Sequence, residues 1–254
     1  MRLKEQIRQW EDEERSAAVT GWDFSHIRDR YCEEDSLPWE YEAVVRRYLT
    51  PQTCLLDMDT GGGELLLSLK HPYHKTAATE AWEPNIRLCR ERLLPLGIDF
   101  RETDGTGLLP FPDETFELVI NRHGDYQPEE VFRILSLGGT FVTQQVGGEN
   151  DRELRELLLP EVSPPYPEWN AGHAAQKLAE AGFSILQKEE AYTPIRFFDT
   201  AALVWFAKII EWEFPGFSVS RCLDGLCEAQ KRIEQTGCLA GTTHRFLLAA
   251  RKPN

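Results

Sequence analysis

Apolar positions along the chain change period as it proceeds. Leu3, Ile7 and Trp10 recur at helical spacing in a charge-rich opening stretch, and after Pro38 the residues Tyr41, Val44, Val45 and Tyr48 line one face of a second helix. From position 53 the runs shorten. Residues 53–58 predict a buried strand, followed by three glycines and a helix from about Gly63 through Leu69. Residues 75–80 predict a second strand, 85–96 a helix with Pro84 suited to its first turn, 99–103 a third strand and 115–121 a fourth. A helix over 128–135 and a Gly138-Gly139 turn lead to a fifth strand over 140–146. Further on, 173–181 predicts a helix ending at Gly182, and 183–190 a sixth strand. Helices over 200–211 and 221–235 precede a last strand over 243–250. Alternating strands and helices imply parallel βαβ units in a wound sheet.

Composition narrows the function. The chain has 254 residues, of which 41% are hydrophobic, enough for a sizeable core. Its formal net charge of −14 opposes phosphate backbones, which sets the sequence against nucleic-acid binding. Six cysteines form no C-x-x-C pair and no zinc-like spacing, so no metal is expected and the thiols are read as free, in a reducing compartment. The charged opening has no apolar signal core, and no apolar run reaches the roughly 18 residues of a membrane span, so the expected location is the cytoplasm.

The first chemical signal is Asp57-x-Asp59-x-Gly61-Gly62-Gly63, directly after a strand. Glycines there let the backbone turn sharply and approach a ligand, and the following helix start favours an anionic group. The second is Glu80, closing the next strand, where a carboxylate can accept from both hydroxyls of a ribose. The third is Asp104-Gly105-Thr106 after the third strand, where a carboxylate and backbone N–H groups can meet an adenine; an Asp-Gly turn also occurs in plain loops. The run Leu109 to Val119, LPFPDETFELV, leads into strand four.

Taken together, LLDMDTGGG, TEAWEPNI, ETDGTGLLPFPDETFELVI and VFRILSLGGTFVTQQV resemble the class I S-adenosylmethionine-dependent methyltransferases of the type 11 and UbiE-like group, over about 90 residues. The resemblance implies a Rossmann-like, doubly wound, seven-stranded, mostly parallel sheet with helices on both faces, plus an N-terminal helical segment. It implies a helical cap over 1–50, a cofactor-binding core over 51–150, and a remainder over 151–254 that completes the same sheet with a helical substrate lid, as one domain. It implies S-adenosylmethionine as cofactor. Asp57, Gly61 and Gly63 would line its methionine end, Glu80 would hold the ribose with Ala81 beside it, and Trp82 would pack on the adenine. Asp104, Gly105 and Thr106 would meet the base, and Asn121 would face the methionine moiety or the substrate. One departure stands out: Asp59 replaces the family's first glycine, which brings an extra carboxylate to the cofactor site.

The segment after strand four, Asn121-Arg122-His123-Gly124-Asp125, lacks the N/D-P-P-Y/F sequence used by related enzymes that methylate amino nitrogens. His123 is the candidate general base, because imidazole titrates near neutral pH. Arg122, Gln144 and Arg196 are candidate substrate contacts, and the lid candidates are Trp22 to Trp39, Pro164 to Trp169 and Tyr192 to Phe198. The expected activity is methyl transfer to a small molecule. The alternatives are an RNA methyltransferase, for which Arg28, Arg30, Arg46 and Arg47 form the only N-terminal basic cluster, and a non-catalytic module that binds the cofactor or its demethylated product.

Overall fold

The computed structural model describes residues 3–18, 24–33, 37–164 and 166–254. The chain divides into two compact units that interleave along the sequence. One comprises residues 38–146, 169–191 and 245–254, and the other comprises 1–37, 147–168 and 192–244.

The first of these units holds the parallel strands. β2 (Leu55–Met58) lies between β3 (Thr76–Glu80) and β5 (Phe116–Arg122), with β4 (Asp99–Glu102) beyond β3 and β6 (Leu135–Val146) beyond β5, all parallel. Every residue of β2 and β3 is buried, as expected of strands covered on both faces. β8 (Leu239–Arg251) runs antiparallel to β6, with Arg245 opposite Val146 and Arg251 opposite Thr140. The core of this unit gathers Leu56, Val119 and Phe141 from the parallel strands, Phe246 and Leu248 from β8, and Leu178 from helix α7 (Ala171–Glu180). Helices α2 (Tyr41–Arg46), α3 (Glu64–Ser68), α4 (Glu83–Arg92) and α5 (Pro128–Ile134) connect the strands.

The other unit has its own core. Helix α8 (Thr200–Ile209) is buried through Ala207, and Trp205 and Phe206 pack with Trp10 of helix α1 (Leu3–Ser16), with Leu226 of helix α9 (Leu223–Thr236) and with Phe197. Helix α6 (Arg152–Leu158) adds Leu154 and Leu158.

The strand order is β1-β7-β8-β6-β5-β2-β3-β4, a mostly parallel sheet of the expected Rossmann-like type with eight strands instead of seven. The additional strand is β1 (Tyr31–Glu33), three residues paired antiparallel to β7 (Ser184–Phe197) in a stretch with no clean period. β7 also runs through residues expected as a lid segment after position 190; its early part alternates intermediate and exposed positions, a pattern that hides its length. β6 starts at Leu135, upstream of the expected Gly138-Gly139 turn, and the register slips between Phe116 and Leu118 beside it. Among the described residues, no helix is long and apolar enough to cross a membrane. Of the lid candidates, residues 22–23, 34–36 and 165 lie outside the described residues.

Candidate functional site at the carboxyl ends of the parallel strands

After β2 the backbone turns through Asp59, at φ +53°, into the glycine run. The Thr60 amide donates to the Thr79 carbonyl at 3.0 Å, and its hydroxyl donates to the Asp57 carboxylate at 2.6 Å, so β3 holds the turn from the side. Gly63 caps α3 in the left-handed region at φ +79°, and a Cβ there would meet Leu93 Cδ2 at 2.8 Å. Space and backbone angle thus both require glycine. Helix α3 has only five residues, so the anion-binding helix start expected here has little dipole behind it.

A cavity of about 250 Å³ opens at these strand ends. Met58 at the end of β2 and Asp59 after it line the cavity, with Thr79 and Glu80 from β3 and Ala81 and Trp82 from the turn that follows. The loop after β4 contributes Thr103, Gly105, Gly107 and Leu108, and Asp125 enters from beyond β5. Trp82 and Leu108 are 45% and 65% exposed, so each presents an apolar surface that no neighbour covers. Of the predicted residues, Asp59, Glu80, Ala81, Trp82 and Gly105 meet at this cavity. Sequence reasoning missed Met58, Thr79, Thr103, Gly107, Leu108, Leu109 and Asp125 as lining residues. Leu108 opens the LLPF run and Asp125 closes the segment after strand four, so both lay within motifs already singled out.

Glu80 is buried and heavily engaged. Its Oε1 accepts from the amides of Ala81 and Trp82, each at 2.9 Å. Its Oε2 accepts from the Gly61 amide at 2.8 Å and from Asn85 Nδ2 at 3.2 Å. A carboxylate offers about four acceptor sites, so a hydroxyl-bearing ligand would have to share or displace one of these donors. Asp57 is also buried; burial raises its carboxyl pKa to about 7, opposed by the Thr60 bond and reinforced by Asp59 and Glu80. Asp59 is raised to about 7 by burial, then by the charges of Glu80 and Asp125. Its carboxylate lies against Gly124, where a Cβ would come within 2.5 Å of Oδ2, so only glycine allows this approach.

Other expected contacts are placed differently. The exposed carboxylate of Asp104 accepts from the Thr106 amide at 3.0 Å and from its hydroxyl at 2.6 Å, so the two side chains engage each other in an Asx turn. Asn121, expected to face the methionine moiety or the substrate, is fully buried and ties three strands together. Its Nδ2 donates to the Met58 carbonyl at 3.3 Å, and its Oδ1 accepts from Thr143 and Gln145 at 3.2 and 2.6 Å. Arg196 sits in β7 opposite Cys32 and belongs to the other unit.

His123 follows β5 at φ +66°, with its amide donating to the Gln144 carbonyl at 2.8 Å. Gln144 is buried; its Oε1 accepts from Trp39 Nε1 at 2.8 Å, and its Nε2 lies 3.3 Å from His123 Nε2. Burial, then the cations of Arg245 and Arg122, lower the imidazole pKa below its usual value, although the residue as a whole is exposed. A ring so shifted holds a proton weakly, which bears on the general-base role expected of it. Among the described residues, no group of His, Cys, Asp and Glu could hold a metal ion.

Residues 56–143 match a family described as a methyltransferase domain. No curated protein matches the chain. Solved structures share the fold at low identity. A protein of Bacillus halodurans C-125, assigned provisionally as a methyltransferase, is 16% identical, with 84% of this chain and 99% of that chain covered and a TM-score of 0.58. A SAM-dependent methyltransferase from Aquifex aeolicus is 14% identical, with 99% of each chain covered and a TM-score of 0.50. The [4+2]-cyclase SpnF is 20% identical, with 84% and 80% covered and a TM-score of 0.50. One fold therefore serves more than one chemistry.

Proposed function

We propose that this chain, whose residues 56–143 match a methyltransferase domain, transfers a methyl group from S-adenosylmethionine to a small-molecule acceptor. The observation that carries the reading is the cavity at the carboxyl ends of β2, β3 and β4, with Glu80 buried in its wall and the uncovered surfaces of Trp82 and Leu108 beside it. Ligands of open α/β sheets bind at such strand ends. The residues suit a cationic nucleoside: Glu80 for the ribose, Trp82 and Leu108 for the base, and the carboxylates of Asp59 and Asp125 for positive charge.

When bound, the cofactor supplies a methyl group already activated by the positive charge on sulfur. The chain's task is then alignment and exclusion of water. Glu80 exchanges one of its protein donors for a ribose hydroxyl, and the Gly61 amide is the donor placed on the glycine turn itself.

Charge supports a small acceptor over RNA. Besides the net charge of −14, Arg30 is paired with Glu13 and Asp199, and Arg46 with Glu42, so half of the candidate basic cluster is already neutralised. A cofactor-binding module without turnover is the second reading; it draws on Asp59, whose carboxylate stands where the family has glycine.

Calorimetry with S-adenosylmethionine and S-adenosylhomocysteine tests the proposal. Saturable binding of both is expected, weakened at least ten-fold by Glu80→Ala. Absence of binding to either overturns it. Binding with no methyl transfer across phenols, amines and carboxylates favours the second reading.

A further inference from the structure

The indole N–H of Trp39 can only donate, so the atom of Gln144 that faces it at 2.8 Å must be the amide oxygen. That fixes the amide the other way round at its far end, where the Gln144 NH₂ faces His123 Nε2 at 3.3 Å. Two donors cannot face each other. His123 Nε2 is therefore the acceptor, and the hydrogen of the neutral ring sits on Nδ1. Protonating Nε2 would set N–H against NH₂, with Arg122 and Arg245 adding positive charge nearby. The main chain of His123 is held in place by its amide, which donates to the Gln144 carbonyl at 2.8 Å. Among the described residues no acceptor meets Nδ1, and the adjacent Arg122 is exposed and makes no ion pair.

We propose that His123 is a fixed hydrogen-bond donor that, with Arg122, selects acceptor molecules carrying a carboxylate. The proposal rests on the methyl-transfer reading and adds the charge class of the acceptor. A donor N–H and a guanidinium on consecutive residues at the end of β5 favour an anionic oxygen over a neutral or cationic group. His123 thus binds and orients the acceptor and takes no proton from it.

The tautomer is measured directly by long-range ¹⁵N–¹H correlation on histidine-labelled protein, with the His123 signals assigned by their loss in His123→Asn. A single Nδ1–H pattern is expected from pH 5.5 to 8, and Gln144→Leu should release a mixture. An Nε2–H pattern, or an imidazolium forming near pH 6.5, overturns the proposal. Benzoate and its neutral isostere benzamide then probe charge. Benzoate should move the His123 Nδ1 signal saturably, with at least a five-fold loss of affinity in Arg122→Gln, and benzamide should not. Equal responses to both, or no response to benzoate, overturn it. Binding of S-adenosylhomocysteine to the same sample keeps the two ideas separate: if it fails, the methyl-transfer reading fails, whatever the histidine reports.

Discussion

Asp59 puts a carboxylate against Gly124, inside the wall of a cavity that Glu80 and Asp125 also line. Burial, with repulsion from the neighbouring carboxylates added to it, raises its pKa to about 7 along with that of buried Asp57. Two outcomes follow at the scale of single residues. S-adenosylmethionine and S-adenosylhomocysteine share the amino-acid end and differ in the charge on sulfur, so the ratio of their affinities isolates the sulfonium. Asp59→Asn should lower that ratio on the order of five-fold, the size of one screened charge interaction at short range. Calorimetry on wild type and variant reads it, and an unchanged ratio would place Asp59 out of reach of the sulfur. The second outcome concerns pH. A carboxyl whose pKa is 3.8 unfolded and about 7 folded binds its proton more tightly in the folded state. Its stabilising contribution is complete below pH 4 and is lost as pH rises through 7, at up to about 1.4 kcal/mol per pH unit. Thermal unfolding at pH 5.5 and 8 should show this fall in wild type and a shallower one in Asp57→Asn. Parallel falls in the two proteins would remove Asp57 as the source.

Elements were readable where a local signal was strong. The strands flanking the glycine turn were predicted to within a few residues, because buried parallel strands write short, continuous apolar runs between turn residues. β1 was not, since three residues at an edge leave no period to detect, and the full length of β7 was masked by its half-exposed polar positions. The site divided in the same way. Glu80 was readable from its place at a strand end, whereas Asn121 and Gln144 turned out to be joined to partners far along the chain, which no local pattern encodes. The turn between β2 and α3 is where backbone and side-chain demands coincide. Gly63→Ala should cost about 1–3 kcal/mol, from the left-handed angle together with the collision with Leu93. Gly97→Ala makes the control: its φ of +83° is just as left-handed, but nothing lies within 4 Å of the added Cβ. Chemical denaturation of both separates backbone strain from crowding, and equal losses would assign the whole effect to the angle.

Across the whole molecule, neither unit is one continuous stretch of chain, which bears on what can fold alone. Residues 38–146 contain every parallel strand and the whole of the family match, and so read as a natural fragment. Yet β6 is paired along Thr140–Val146 with residues 245–251, and the core around Phe141 draws Leu178, Phe246 and Leu248 from beyond position 146. Cutting after Val146 would bare a central strand as an edge and expose the apolar side chains those residues cover. Losing three large apolar partners at about 1.5–3 kcal/mol each approaches the entire stability of an ordinary domain. The fragment 38–146 should therefore show no cooperative thermal transition and should aggregate, while the full chain unfolds cooperatively. Circular dichroism with sedimentation decides between them. A soluble fragment with a sharp transition that still binds S-adenosylhomocysteine would show that the later segments trim a core already complete without them.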